Sequence, residues 1–353
     1  MVHPRARSGS SLPVRAQPVR VGPLVPSLAP AALRPLAANC QCGRSPPDRV
    51  RRSHGRTPAR PGSSKIVVGI DRSLSARTAV TWAAAEAARR GSTPFLVHGA
   101  DTDTQAPCLS QAEIGRSRQE VGELLDRTAE VITVRHPELT VVTELTDGGA
   151  ADGLRGAAAL TSPIVFGHRD LGGFPSLLLG SVGLHVGAGA NTPVVVVRGT
   201  AEPVEAAVVL AAVRDEADVG CARAGTRTTL LRKVPLRLQH IRTAGLPARP
   251  RAALPRGDDE ISRDHVRVRF SLSERVREEF PGLNVHNVQA DGQKGRCVPG
   301  ALVDASHHAD PVVVVRPDTS DPFSAGPRSA LLQHAHCPVE LIPRQGPGRG
   351  STS

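Results

Sequence analysis

The tightest constraint on the fold of this chain is a set of short apolar runs that return in the same order about 145 positions later. His136-Pro137-Glu138-Leu139-Thr140-Val141 is echoed by Phe280-Pro281-Gly282-Leu283-Asn284-Val285, an offset of 144 (137 to 281). Pro163, ahead of a buried-looking run ending at Phe166, is echoed by Pro311 ahead of Val312 to Val315, an offset of 148. Pro193 before Val194 to Val197 is echoed by Pro338 before Val339 to Ile342, an offset of 145. The run Thr93 to His98 finds a looser counterpart in Val234 to His240. Anchors that keep order and spacing are the signature of tandem copies of one domain, and 353 residues leave room for two.

Within the first copy, strand and helix signals alternate. Lys65 to Ile70 is a β-branched run that predicts a strand. Ser73 or Ser75 can cap a helix over Ala76 to Arg90, which Gly91 can end. Phe95 to His98 predicts a second strand, and Val121, Leu124, Leu125 and Ile132 mark a long amphipathic helix. Leu139 to Leu145, a helix over Ala150 to Leu160, a strand ending at Gly167, a helix from Gly180 and a strand over Val194 to Val197 complete the series. Such alternation predicts an α/β fold with a doubly wound, five-stranded parallel sheet in each copy. The expected division is a disordered Arg/Pro-rich tail over 1–64, a first domain over 65–199, a degenerate second over 203–345, and a disordered end over 346–353.

The charge is segregated. Residues 1–65 hold eleven Arg, Lys65 and one acid, Asp48, a net +11 that equals the net charge of the whole chain. The remainder is formally neutral, so the folded part is not expected to bind nucleic acid. Six scattered cysteines without a Cys-x-x-Cys pair suggest a reducing compartment. No apolar run approaches the ~20 residues needed to span a bilayer. A cytoplasmic protein without membrane contact is the expectation.

The segment Phe166 to Arg198 is strand, Gly-rich loop, helix and strand, with Gly180-Ser181 where the helix would open. A helix N-terminus presents unpaired N–H groups and positive dipole, which suits phosphate. With Ile66-Val67-Val68-Gly69-Ile70-Asp71-Arg72-Ser73, this segment resembles the universal stress protein family. That family's loop reads Gly, two residues, Gly, nine residues, Gly, then Ser or Thr. The resemblance covers about 65–199 well and 203–345 weakly. It implies an adenine nucleotide alpha hydrolase-like, flavodoxin-like three-layer architecture and a stress-response regulator that binds ATP, with Mg²⁺ as a companion ion. By resemblance, Gly69 and Asp71 follow the first strand and contact adenosine, and Gly99 lies beside the adenine. Phe166 and Gly167 flank the nucleotide, Arg169 faces phosphate, and Gly180, Ser181 and Val182 supply N–H groups and a hydroxyl. It also implies edge pairing of the last strands, Val194 to Val197 with Val339 to Ile342, and allows a homodimer.

One position departs from the pattern: the second glycine is Asp170. A carboxylate ~5 Å from a phosphate, at an effective dielectric of ~20, costs about 3 kcal/mol, roughly a hundredfold in affinity. A Mg²⁺ bridging Asp170 and phosphate oxygens would remove the penalty. Two readings stay open: an ATP-binding sensor in which hydrolysis is slow and incidental, and a scaffold that acts through protein contacts. In the second copy, Gly167 becomes Val315, Gly180 becomes Ala325 and Ser181 becomes Gly326, followed by Pro327, so a phosphate cradle is not expected there. No GxGxxG, P-loop or nucleophile elbow is present to support a turnover enzyme.

Overall fold

The computed structural model describes residues 49–54, 64–101, 109–158, 162–168, 182–183, 185–186, 190–198, 208–241, 267, 270–290, 298–316 and 327–343. The first half contains β1 (Arg49–His54), β2 (Lys65–Gly69), α1 (Leu74–Arg90), β3 (Thr93–Gly99) and α2 (Gln111–Arg135), then β4 (Val141–Thr146), α3 (Ala150–Ala157), β5 (Ile164–Gly167) and β6 (Val194–Val197). The second half contains β7 (Val208–Val213), α4 (Val219–Arg232), β8 (Leu236–Ile241), a helical stretch over 270–279, and β9 (Val285–Ala290). It closes with α5 (Val298–Ser306), β10 (Ala309–Val315), α6 (Pro327–His334) and β11 (Val339–Ile342). Among the described residues, the strands join one eleven-stranded sheet in the order β1-β4-β3-β2-β5-β6-β11-β10-β7-β8-β9.

Local chemistry accounts for the helix ends. Ser73 caps α1, its hydroxyl accepting from Ala76 N at 3.1 Å, and Gly91 leaves the helix at φ 59, a left-handed conformation that glycine adopts without cost. α2 opens with a reciprocal capping box: Ser110 N donates to Glu113 Oε2 at 2.7 Å while Glu113 N donates to Ser110 Oγ at 3.3 Å. The valine-rich strands β6 and β10 are buried along their whole length, as strands covered on both faces require. Among the described residues, no helix is long and apolar enough to cross a membrane.

Apart from β1, the strands within each half are parallel, and the strand order of β4-β3-β2-β5-β6 is mirrored by β9-β8-β7-β10-β11. The halves meet through β6 and β11, which pair antiparallel with Val339 opposite Val196 and Leu341 opposite Val194. Arginines just past the strand ends stitch this seam. Arg198 donates to the carbonyls of Ala335, at 3.1 Å, and Leu332. Arg316 reaches the other way, to the carbonyls of Thr192, at 2.7 Å, and Ala190.

One stretch of the expected tail is folded. Residues 49–54 lie antiparallel on β4, from Arg49 opposite Thr146 to His54 opposite Val141. Arg51 pairs with the buried Glu144, Arg52 donates to Asp126 at 2.5 Å, and Arg51 and Lys65 flank the Phe95 ring at 5.5 and 4.9 Å. The expectation of disorder over 1–64 is corrected for these six residues. Basic composition alone did not disclose that acids on β4 and α2 were waiting for these arginines. Residues 1–48 and 346–353, expected to be disordered, lie outside the described residues.

The two faces of the sheet differ at the seam. On one, a single apolar cluster runs across it through Val194, Val196, Leu210, Val312, Val339 and Leu341. On the other, the cluster around Val195 and Leu96 and the cluster around Val313 and Leu238 stay separate. There, where α1 meets α4, fully buried Glu86 accepts from Arg89 and Arg232, each at 2.8 Å, and from Arg90 at 2.7 Å. Arg232 also binds Asp310 at 2.6 Å, and Glu340 is buried among the same charges.

Burial pushes the Glu86 carboxyl up, but Arg90, Arg232 and Arg89 outweigh it and hold the group below the usual carboxylate range. Burial pushes Glu340 up, with Glu86 adding to the effect against Arg90 and Arg232. The two acids therefore act oppositely on stability. The Glu86 contribution is present above its unfolded pKa of about 4.3 and is lost as pH falls through its lower folded value. The Glu340 contribution is present below about 4.3 and is lost as pH rises through its raised folded value. In urea unfolding at pH 7, Glu86→Gln is expected to cost about 3 kcal/mol by leaving buried guanidiniums uncompensated, with the deficit shrinking toward pH 3. Glu340→Gln is expected to leave the midpoint unchanged or raise it.

Candidate functional site

The carboxyl ends of β2, β3 and β5 enclose a cavity of about 470 Å³, within the range of small-molecule sites. It sits where the chain reverses its winding. From β2, the connection through α1 goes to β3 on one side, while β5 lies on the other. Crevices at such switch points hold ligands because the loops above them diverge.

Gly69, Asp71, Gly99, Phe166, Gly167 and Val182 all line this one cavity, although they are spread over more than a hundred residues of sequence. Arg169, Asp170, Gly180 and Ser181, the remaining expected site residues, lie outside the described residues. Two glycines are there because backbones approach closely. A methyl group on Gly167 would overlap the Ser75 carbonyl, and one on Gly99 would overlap the Ala150 backbone. Each approach brings a strand end onto the first turn of a helix, α1 for Gly167 and α3 for Gly99.

Those first turns face the cavity through Ser73, Ser75 and Ala76 of α1 and through Gly149, Ala150 and Ala151 of α3. Gly149, the N-cap of α3, provides no side-chain cap. Two positive helix ends thus converge on one space. Asp71 is held beside it: its Oδ1 accepts from Ser73 N at 2.9 Å and from the Ser73 hydroxyl, and Ser73 Oγ lies 2.9 Å from Ser75 Oγ. The aspartate thereby braces the residue that caps α1. Ile70, Val97, Leu154 and Phe166 give the cavity an apolar part of its lining.

His98 borders the cavity with Nδ1 at 2.7 Å from the Ile70 carbonyl oxygen. Burial lowers its pKa, against the Ile70 hydrogen bond and the Asp71 carboxylate, which raise it, while Arg72 lowers it further. The ring is a half-buried part of the cavity wall.

Sequence reasoning missed Ser75, Asp101, Gly149, Leu154 and His185. Gly148-Gly149 ahead of a helix signal was a legible clue; Asp101, at φ 53, and Leu154 had none. In the second half, register places Val315 opposite Ile342 as Gly167 stands opposite Val197, and Val315 is buried in the core. Its counterpart of the first-strand aspartate is spent internally. Asp215 caps a 3₁₀ turn through Ala217 N at 3.0 Å, and Asp218 accepts from Arg214 N at 2.9 Å. Among the described residues, no group of three or more His, Cys, Asp and Glu is placed to hold a metal ion.

Comparison with known proteins bears on the same span. Residues 62–198 match the Universal stress protein family. Universal stress proteins of Mycobacterium bovis and Mycobacterium tuberculosis are each 31% identical over 166 residues, 44% of this chain and 52% of the relative. The chain thus spans about half the length of these curated relatives. A solved universal stress protein from Archaeoglobus fulgidus shares the fold at TM-score 0.57 and 14% identity, covering 80% of this chain and 100% of that one. A proposed universal stress protein of Pseudomonas aeruginosa does so at TM-score 0.52 and 13% identity, covering 80% and 94%.

Gly167→Ala is expected to force β5 and α1 apart, costing about 1–3 kcal/mol as a lowered midpoint in thermal or urea unfolding. Gly148→Ala, where a methyl group meets nothing within 4 Å, is the matched control and should cost well below that.

Proposed function

We propose that this chain, which carries a universal stress protein domain over residues 62–198, uses the cavity of that domain to bind ATP as a stress-response regulator. The observation that carries the reading is the cavity at the switch point, which two helix N-termini, a braced carboxylate and apolar side chains line together. Each has a counterpart in an adenine nucleotide. The helix ends suit phosphate oxygens, the Asp71 carboxylate accepts from ribose hydroxyls, and the wall of Ile70, Val97, Leu154 and Phe166 covers the base. Gly167 supports it further, because a side chain there would force apart the contact between β5 and α1 that forms the floor. Arg169, Gly180 and Ser181 complete the phosphate end in this reading, and Mg²⁺ accompanies the nucleotide. The protein acts by ligand occupancy in the cytoplasm, with hydrolysis slow and incidental.

The second half supports the first through the β6–β11 seam rather than as a second nucleotide site. Val315 fills the place of the floor glycine, and the acids after β7 are engaged in local capping.

Calorimetry of the full chain with Mg-ATP tests this. Saturable one-to-one binding is expected, weakened by Gly180→Ala. Asp170→Gly is expected to tighten it by about a hundredfold if the carboxylate opposes phosphate, and to leave it unchanged if Mg²⁺ bridges the two. Silence in the natural chain and in Asp170→Gly would overturn the nucleotide reading in favour of a scaffold that works through protein contacts.

A further inference from the structure

The outer edge of β4 sets the two halves of the sheet apart. β4 and β9 hold mirrored places, yet β1 covers β4 while β9 ends the sheet among the described residues. Successive side chains of a strand point to opposite faces, so the neighbours Arg51 and Arg52 of β1 reach both faces of the sheet. Arg51 meets the fully buried carboxylate of Glu144, and Arg52 meets Asp126 of α2 at 2.5 Å. In the second half both acids are replaced. The 144-residue offset and the pairing register put Val288 in the place of Glu144. The same offset puts Phe270 in the place of Asp126. The edge that carries the acids is the edge that carries an arginine strand.

β1 is also held more lightly than its neighbours. It pairs on one side only, and it lies outside residues 62–198, the span of the universal stress protein match. Residues 55–64 tether it to β2. Both arginines keep more than half of their side chains in water, where an ion pair adds little net stability. We propose that the outer edge of β4 is a strand-addition site for an extended protein segment bearing two consecutive arginines, and that β1 is its tethered occupant, closing the edge until such a segment displaces it. Backbone pairing along β4 supplies affinity for an extended chain. Glu144 and Asp126, one reached on each face, supply the selectivity, because each asks for a cation at one of two successive positions. The tether keeps β1 at an effective concentration on the order of millimolar, so a competing segment succeeds only by binding the free edge much more tightly than that.

The probe is a fluorescently labelled synthetic peptide of residues 46–57, followed by anisotropy. The full chain carrying Arg51→Pro and Arg52→Pro loses both cations, and it loses the backbone donor to β4 because one of two adjacent N–H groups always faces the ladder. With its fold checked by circular dichroism, this released chain is expected to bind the peptide saturably. The natural full chain is expected to bind at least about tenfold more weakly, because its own β1 holds the edge. The peptide carrying Arg51→Ala and Arg52→Ala, or Glu144→Gln in the released chain, is expected to lose about tenfold in affinity. Equal binding by the natural and released chains would overturn the proposal, as would binding indifferent to the arginines or none by a folded released chain. Hydrogen exchange of the natural chain needs no variant. Residues 49–54 are expected to exchange at least about a hundredfold faster than residues 95–98 of β3, through local opening. Equally slow exchange of the two would make β1 a fixed member of the sheet and overturn its displacement.

Discussion

The antiparallel pairing of β6 with β11 is the contact on which the rest of the molecule depends. Each half, taken by itself, ends its sheet on a buried four-residue strand with an open edge. An exposed edge of that kind is a template for association with other chains. Joining the two edges removes both hazards and makes one sheet of eleven strands. The reciprocal reach of Arg198 and Arg316 gives the seam carbonyl caps at both ends, each guanidinium satisfying backbone oxygens of the opposite half.

That seam is built differently on its two faces. One face is continuous hydrocarbon, whose burial is strong but does not specify register. The other carries Glu86, Arg90, Arg232, Asp310 and Glu340, whose charges are tolerated only where partners meet. A slip of one residue between β6 and β11 would turn Glu340 into the apolar face, so the ionic side sets the register that the apolar side stabilises. The opposing tendencies of Glu86 and Glu340 follow from the direct ion pairs that Glu86 makes with Arg89, Arg90 and Arg232, and from the burial of Glu340 beside the charge of Glu86.

The cavity depends on the same sheet at one remove. β5, whose last residue forms the floor, is held between β2 and β6, and β6 is held in turn by the second half. His168, just past the floor glycine, donates its N–H to Val197 at 3.0 Å, and Val197 is followed by Arg198 at the seam. The candidate site and the junction between halves are thus one hydrogen bond apart. The second half accordingly has a physical part in the first half's site even though Val315 fills its own corresponding position.

Much of this was legible in the chain. Alternating β-branched runs and amphipathic helices, and their return about 145 positions later, are local patterns that depend only on neighbours along the sequence. The same holds for the glycines that end β2, β3 and β5 and for Ser73 at the head of α1, since caps and tight approaches demand particular residue types. The place of β1 was not legible, because its arginines are matched by Glu144 and Asp126, more than seventy residues away. Nor was the network between α1 and α4, nor the hydrogen bond that orients His98. Periodicity and residue type determine which segments become strands and helices and where backbones must be bare. Only the folded chain decides which charges face each other, because desolvation makes a buried group depend on partners that sequence distance does not reveal.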